Sequence, residues 1–193
     1  MANNCYNHIA ICGDEESISK IRERFTREVY DSTMYFTHFC DIVLGIDKSE
    51  GFYHSLTYEE AYKYGTKWFD FYIDDDQPDM LVISGDTAWS PCLELSREIS
   101  KAFGVSIEHH YVEEGMDFAG YRKYSNGECM EEYESTVSEY YWKELSFNEF
   151  IEMRIAHLGL TSEEEIDEEL DGMSFLEPKD REMLRQEMVD MFV

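Results

Sequence analysis

Asn126 and Gly127 lie between two runs of extended character in the segment DFAGYRKYSNGECMEEYES. An Asn-Gly pair accepts the positive φ angles that a two-residue hairpin turn requires, so the segment predicts two antiparallel strands joined tightly. Just upstream, VSIEHHYVEEG alternates: Val105, Ile107, His109 and Tyr111 share one face, and Ser106, Glu108 and His110 share the other. A period of two is a strand's period, with one face turned to a core and one to water.

The rest of the first two thirds supplies partners for that sheet. HIAICG, closed by Gly13, suits a first strand, after which Asp14 caps a helix with Ile18, Ile21, Phe25 and Val29 at helical spacing. WFDFYID reads as a strand, Pro78 turns the chain, and MLVIS is a second, more buried strand. Ser90 and Pro91 then fit the cap and first turn of a helix that points Leu95, Ile99 and Phe103 inward and stops at Gly104. Between these, residues 33–44 fit a strand or a helix, and LTYEEAYKYG reads as a short helix stopped by Gly65. Beyond residue 138 the pattern turns helical. A Ser146/Glu149 capping box opens one helix and a Thr161/Glu164 box opens another. Pro178 starts a last one, with Leu184, Met188, Met191 and Phe192 on one stripe. The expected class is α+β: a ferredoxin-like antiparallel or mixed sheet with helices on one face over residues 1–137, and an acidic helical appendage, 138–193, packed on it.

Composition narrows the function classes. The chain carries 43 acidic against 16 basic residues, a formal net charge of -27, yet 15% of it is aromatic, which separates it from acidic disordered chains. Such a charge repels nucleotides and nucleic acid. The cysteines, Cys5, Cys12, Cys40, Cys92 and Cys129, are odd in number and scattered, giving neither a disulfide framework nor a zinc knuckle. Small buried thiols in a reducing cytosol are the expectation. The amino terminus has no charged segment followed by an apolar run, and no stretch reaches about 18 apolar residues, so a soluble cytoplasmic protein is expected.

Four short motifs add a resemblance. NNCYNHIAICG near the start, YGTKWFD at 64–70, DTAWSP at 86–91 and YVEEGMDFAGY at 111–121 occur in the order seen in the YubB-like ferredoxin-like family. The resemblance covers residues 3–134; Cys92 stands where a second proline is expected, and the helical appendage lies outside it. It implies a ferredoxin-like α+β fold on a plasmid- or phage-borne protein, and no particular reaction.

Candidate chemistry is sparse. His109 and His110, with Glu113 and Glu114, form the best metal or acid-base group, but neighbours on a strand face opposite ways and cannot share an ion. DDDQPD at 74–79 offers oxygen ligands without the glycine and distal glutamate of a calcium loop. No metal, no cofactor and no catalytic residue is assigned. Trp68 and Trp89 read as plugs for the end of the sheet, with Asp86 and Thr87 bonding backbone groups in the turn between them and the helix. An enzyme reading instead places Trp68, Trp89, His109 and Glu114 in one cleft, with Lys67 as a cation. A third class is an adaptor or homodimer joined through Met183, Leu184, Met188, Met191 and Phe192.

The acidity itself carries the leading reading. Alternate residues on a strand and residues four apart on a helix both lie about 6–7 Å apart, close to the spacing of neighbouring phosphates on one strand. Glu128, Glu132 and Glu134 share strand parity, and Glu164/Glu168 and Glu165/Glu169 are helical pairs. Tyr140, Tyr141 and Trp142, if exposed, would stand in for bases. The chain is therefore expected to be a nucleic-acid mimic, monomer or homodimer, that occludes a basic nucleic-acid-binding host protein such as a restriction or CRISPR effector, touching neither nucleic acid nor membrane.

Overall fold

The computed structural model describes residues 3–26, 34–35, 65–66, 69–158 and 162–191. The chain divides into two units, Met1–Glu134 and Ser135–Val193.

In the first unit, β1 (Asn4–Cys12), α1 (Glu15–Thr26), β2 (Met34–Tyr35), β3 (Phe69–Gln77), β4 (Met80–Ala88), α2 (Leu93–Phe103), β5 (Ser106–Glu113), β6 (Phe118–Ser125) and β7 (Glu128–Ser135) follow in order. The seven strands make one sheet in the order β2-β3-β4-β1-β5-β6-β7. The central β1 is antiparallel to both β4 and β5, and β3 is antiparallel to β4. β1 and β3 are therefore parallel with β4 inserted between them, and β4 and β5 are parallel with β1 inserted. Two such split βαβ units, one containing α1 and one α2, are the ferredoxin-like arrangement. The fold is α+β with an antiparallel sheet, as the strand alternation predicts.

Alternation fixes which face is covered. Ile9 lies opposite Ile83, and Ile11 opposite both Leu81 and Ile107, so their side chains share one face. Ile18 and Ile21 of α1 and Leu95 and Ile99 of α2 pack on that face as one buried cluster. The opposite face carries Tyr6 and Tyr72, 42% and 44% exposed.

Most local signals act as the sequence suggests. Asp14 accepts the Ser17 N–H at 2.9 Å at the start of α1, and this bond holds its carboxyl below the usual range. Gly104 ends α2 with φ 67°, and Asn126 and Gly127 take φ 51° and 81° in the β6–β7 turn. One differs: the N-cap of α2 is Cys92, not Ser90. β4 runs on to Ala88, Trp89 takes a left-handed φ of 69°, and the Ser90 hydroxyl donates to the Gly65 carbonyl instead of accepting from a helix N–H. Of residues 33–65, only the short β2 and Gly65 are among the described residues.

The second unit holds α3 (Val137–Glu144), α4 (Phe147–Leu158), α5 (Glu163–Gly172) and α6 (Pro178–Asp190). Phe150, Ile151, Ile166, Leu170, Leu184 and Met188 are its buried core, with Trp142 packed edge-on against Phe147 and Phe150. The Ser146/Glu149 box forms reciprocally, at 3.0 Å and 3.4 Å. α5 is capped one residue later than the Thr161/Glu164 pattern predicts: Ser162 accepts the Glu165 N–H at 3.3 Å. Pro178 occupies the first turn of α6. No helix among the described residues is long and apolar enough to cross a membrane.

Candidate functional site

His109 is wholly buried on the helix-covered face, between β1 and α2. Its Nε2 lies 2.9 Å from Asn7 Oδ1 and its Nδ1 2.7 Å from the Ser96 hydroxyl. Asn7 donates through Nδ2 to the Cys5 carbonyl at 2.7 Å and to Thr87 Oγ1 at 2.9 Å, so its Oδ1 is the acceptor facing the imidazole. The tautomer follows: Nε2 carries the proton, and Ser96 donates to Nδ1. The Thr87 hydroxyl in turn donates to the Ser90 carbonyl at 2.7 Å. Burial pushes the His109 pKa down to about 3, with His110, His8 and Arg122 acting in the same direction. Serine, imidazole and amide in a row resemble a nucleophile with its base, but Ser96, His109 and Asn7 are all sealed from solvent. The chain of bonds ties α2, β5, β1 and the strand-to-helix turn together.

The opposite face is built differently. The registers align Tyr72 of β3 with Ser84 of β4, Ser84 with His8 of β1, His8 with His110 of β5, and His110 with Tyr121 of β6. One residue from each of five consecutive strands thus forms a row across the sheet. The His110 and Tyr121 rings are 5.4 Å apart, and Tyr121 continues to Tyr133 of β7 at 6.0 Å. Tyr6 joins at the β3 side, where its hydrogen bond with Tyr72, together with Asp74 and Asp86, raises the Tyr72 pKa.

Carboxylates border every part of this row. Asp74 lies 3.7 Å from His8 and accepts from Ser84. Glu108 lies 2.8 Å from His110 and 3.5 Å from Lys123; partial burial works upward on its pKa, but these two partners hold it below the usual range. Glu131 accepts from the Tyr121 hydroxyl, which holds its carboxyl low, and lies 3.5 Å from Lys123. The Lys123 ammonium sits 5.3 Å from the Tyr121 ring centroid. Spacing along the chain does not show this row, because its members come from strands more than a hundred residues apart, His8 and Tyr121 among them.

The acidic residues singled out from the sequence fall into two groups. On β7, Glu132 pairs with Arg122 at 3.1 Å and Glu134 accepts from the Tyr111 hydroxyl at 2.9 Å, while Glu128 is exposed beside the turn. On α5, Glu169 pairs with Arg154, and Glu163 and Asp167 lie 3.2 Å and 2.5 Å from Arg185. Glu165 helps close the N-terminal cap. Glu164 and Glu168 face solvent with no partner among the described residues.

Other expectations change. Trp89 does not plug the sheet: it is 47% exposed. Thr87 does bond the turn backbone, whereas Asp86 accepts from the Asn4 side chain at 3.2 Å. Trp68 and Lys67 lie outside the described residues. A cleft of about 350 Å³ lies by the N-terminus of α2, lined by Pro91, Leu93, Phe118, Arg122 and Glu134 among others, and Trp89, His109 and Glu114 take no part in it. Its guanidinium, Arg122, is the one paired with Glu132. Asp75 and Asp76 of DDDQPD bind Gln77 and Arg22, and no three metal-ligating side chains cluster among the described residues. Tyr140 is buried, and Tyr141 and Trp142 pack against the second unit's core. Leu184 and Met188 are internal to that core, leaving Met183 and Met191 exposed from the methionine stripe.

Comparison with known proteins agrees with the strand order. Residues 67–153 match the family model described as a ferredoxin-like domain in Api92-like protein. The uncharacterized protein YubB of Escherichia coli (strain K12) is 26% identical over 114 residues, which are 55% of this chain and 78% of YubB. The crystal structure of api92 from Yersinia pseudotuberculosis aligns with 71% of this chain and 99% of its own, at 12% identity and a TM-score of 0.42. Residues 67–153 are thus similar to the ferredoxin-like domain of Api92-like proteins, and the chain is similar to YubB.

Proposed function

We propose that the protein is a non-catalytic binding protein whose acidic surface occupies the nucleic-acid groove of a basic partner. The observation that carries this reading is the net charge of -27 on 193 residues, far beyond what solubility needs. Carboxylates four apart on a helix repel one another, so an outward pair such as Glu164 and Glu168 lowers the stability of α5. Such a pair is about 6 Å apart, near the phosphate spacing a nucleic-acid groove accepts. A restriction or CRISPR effector is the kind of basic protein this surface would inhibit, in keeping with the mobile-element setting the family resemblance implies. Inhibition is by occlusion: long-range attraction speeds association, and carboxylates stand against the partner's Lys and Arg in place of phosphates. The sealed position of Ser96 and His109 supports a role without catalysis.

The test is charge reversal. Glu164→Lys with Glu168→Lys, both exposed, leaves the fold intact and is expected to weaken capture of a basic nucleic-acid-binding protein from lysate at least tenfold. Capture that is unchanged by the reversal, or that yields no basic protein, contradicts the reading.

A further inference from the structure

We propose that the face of the sheet opposite α1 and α2, along the row Tyr72, His8, His110 and Tyr121, is the docking surface for an extended arginine-rich segment. This rests on the reading that the partner is basic and names the part of it that is recognised.

Three observations point to arginine. The first is the pairing of rings with acids: Asp74, Glu108 and Glu131 each touch a member of the row, and Asp86 lies opposite Tyr6 in the β1–β4 ladder. A guanidinium stacks on an aromatic face while its forked N–H groups reach a carboxylate beside it, which an ammonium does less well. The second is that the surface already holds a cation in this manner. Lys123 sits 5.3 Å from the Tyr121 ring centroid and 3.5 Å from both Glu108 and Glu131. The third is charge. Four carboxylates and one ammonium border the row among the described residues, which opposes the phosphates of a nucleic acid even though tyrosines on an open sheet would otherwise stack bases.

Geometry sets the length of the segment. Strands lie about 4.8 Å apart, so the five strands from Tyr72 to Tyr121 span about 19 Å. An extended peptide places alternate side chains about 6.6 Å apart, so about four arginines at every second position match the row. The exposed Tyr6 and Tyr72 mark the end at which the segment makes its largest new contact.

The experiment uses the full-length protein and a fluorescent peptide, Arg-Ser-Arg-Ser-Arg-Ser-Arg, with its all-lysine counterpart, read by anisotropy at low salt. The arginine peptide is expected to bind at least fivefold tighter than the lysine peptide, the factor that one stacked guanidinium contributes. Tyr72→Thr and Tyr6→Thr, both at exposed strand positions, are each expected to remove most of that preference, while Glu164→Lys with Glu168→Lys leaves it unchanged. Equal binding of the two peptides, or tyrosine variants that bind like the parent, overturns the proposal. So does tight binding of an oligothymidine that displaces the peptide, which makes the face a nucleic-acid surface. If capture of a basic partner is unchanged by the α5 charge reversal while the peptide shows its tyrosine-dependent arginine preference, occlusion by α5 falls and the sheet-face site stands. If the reversal weakens capture and the peptides bind equally, the site falls and occlusion stands.

Discussion

His109 Nε2 donates to Asn7 Oδ1 at 2.9 Å across β1 and β5, in a part of the core where both residues are fully buried. The bond fixes the neutral imidazole, because Nδ1 is left to accept from Ser96.

Stability should therefore depend on pH through His109. Its folded pKa of about 3 lies below the ordinary value of 6.5, so between these values the unfolded chain binds the extra proton. The contribution is fully present above pH 6.5 and is lost as pH falls toward 3, at about 1.4 kcal/mol per pH unit. Urea unfolding from pH 7 to pH 4 should show this slope as the difference between the parent and His109→Gln, which does not titrate there. Asn7→Ala should cost about 1–3 kcal/mol at pH 7 by leaving the imidazole N–H without an acceptor. Parallel pH curves for the parent and His109→Gln would remove the argument.

Gly120 marks a close approach of β6 and β7. A Cβ there would lie 2.2 Å from the Tyr133 carbonyl and 2.8 Å from the Tyr111 hydroxyl. Gly120→Ala should cost about 1–3 kcal/mol, since backbone must shift to admit it. It should also disturb the Tyr111–Glu134 bond, which with burial raises the tyrosine pKa. Chemical denaturation gives the first effect, and a tyrosinate absorbance titration the second, as earlier ionisation of one tyrosine.

The thiols divide by environment. Cys5 is buried, and burial pushes its pKa up to about 12; Cys92 is also buried, whereas Cys12 and Cys129 are exposed. Peptide-level mass spectrometry after brief iodoacetamide treatment at pH 8 should find Cys12 and Cys129 modified and Cys5 and Cys92 protected. Rapid labelling of Cys5 would mean that β1 opens at its start.

What the sequence revealed was local. Ile107, His109 and Tyr111 are buried as their alternation predicts, and Asn126-Gly127 turns as its φ preferences require. The Ser146/Glu149 box closes because both partners lie within one turn of helix. What it hid depends on pairing at long range. The aromatic row is assembled from five strands, and no spacing along the chain shows that Tyr72, His8 and Tyr121 fall in line. Glu132 and Glu134 share parity as read, but Arg122 and Tyr111 opposite them become visible only when β5, β6 and β7 lie side by side. For Trp89, aromatic size suggests burial, whereas the residue takes a left-handed backbone and is nearly half exposed.

Charge should also govern stability in simple salt. With a net charge of -27, screening relieves self-repulsion, so raising NaCl from low to moderate concentration should raise the melting temperature. A fall would mean that ion pairs such as Arg185 with Glu163 and Asp167 outweigh the repulsion.

The most direct test of the central claim is competition between this protein and nucleic acid for one captured basic partner, followed over a range of salt concentrations. Mutually exclusive binding is expected, with an affinity that falls steeply as salt rises and a shallower slope for Glu164→Lys with Glu168→Lys. Simultaneous binding of protein and nucleic acid, or an affinity indifferent to salt, would contradict that claim.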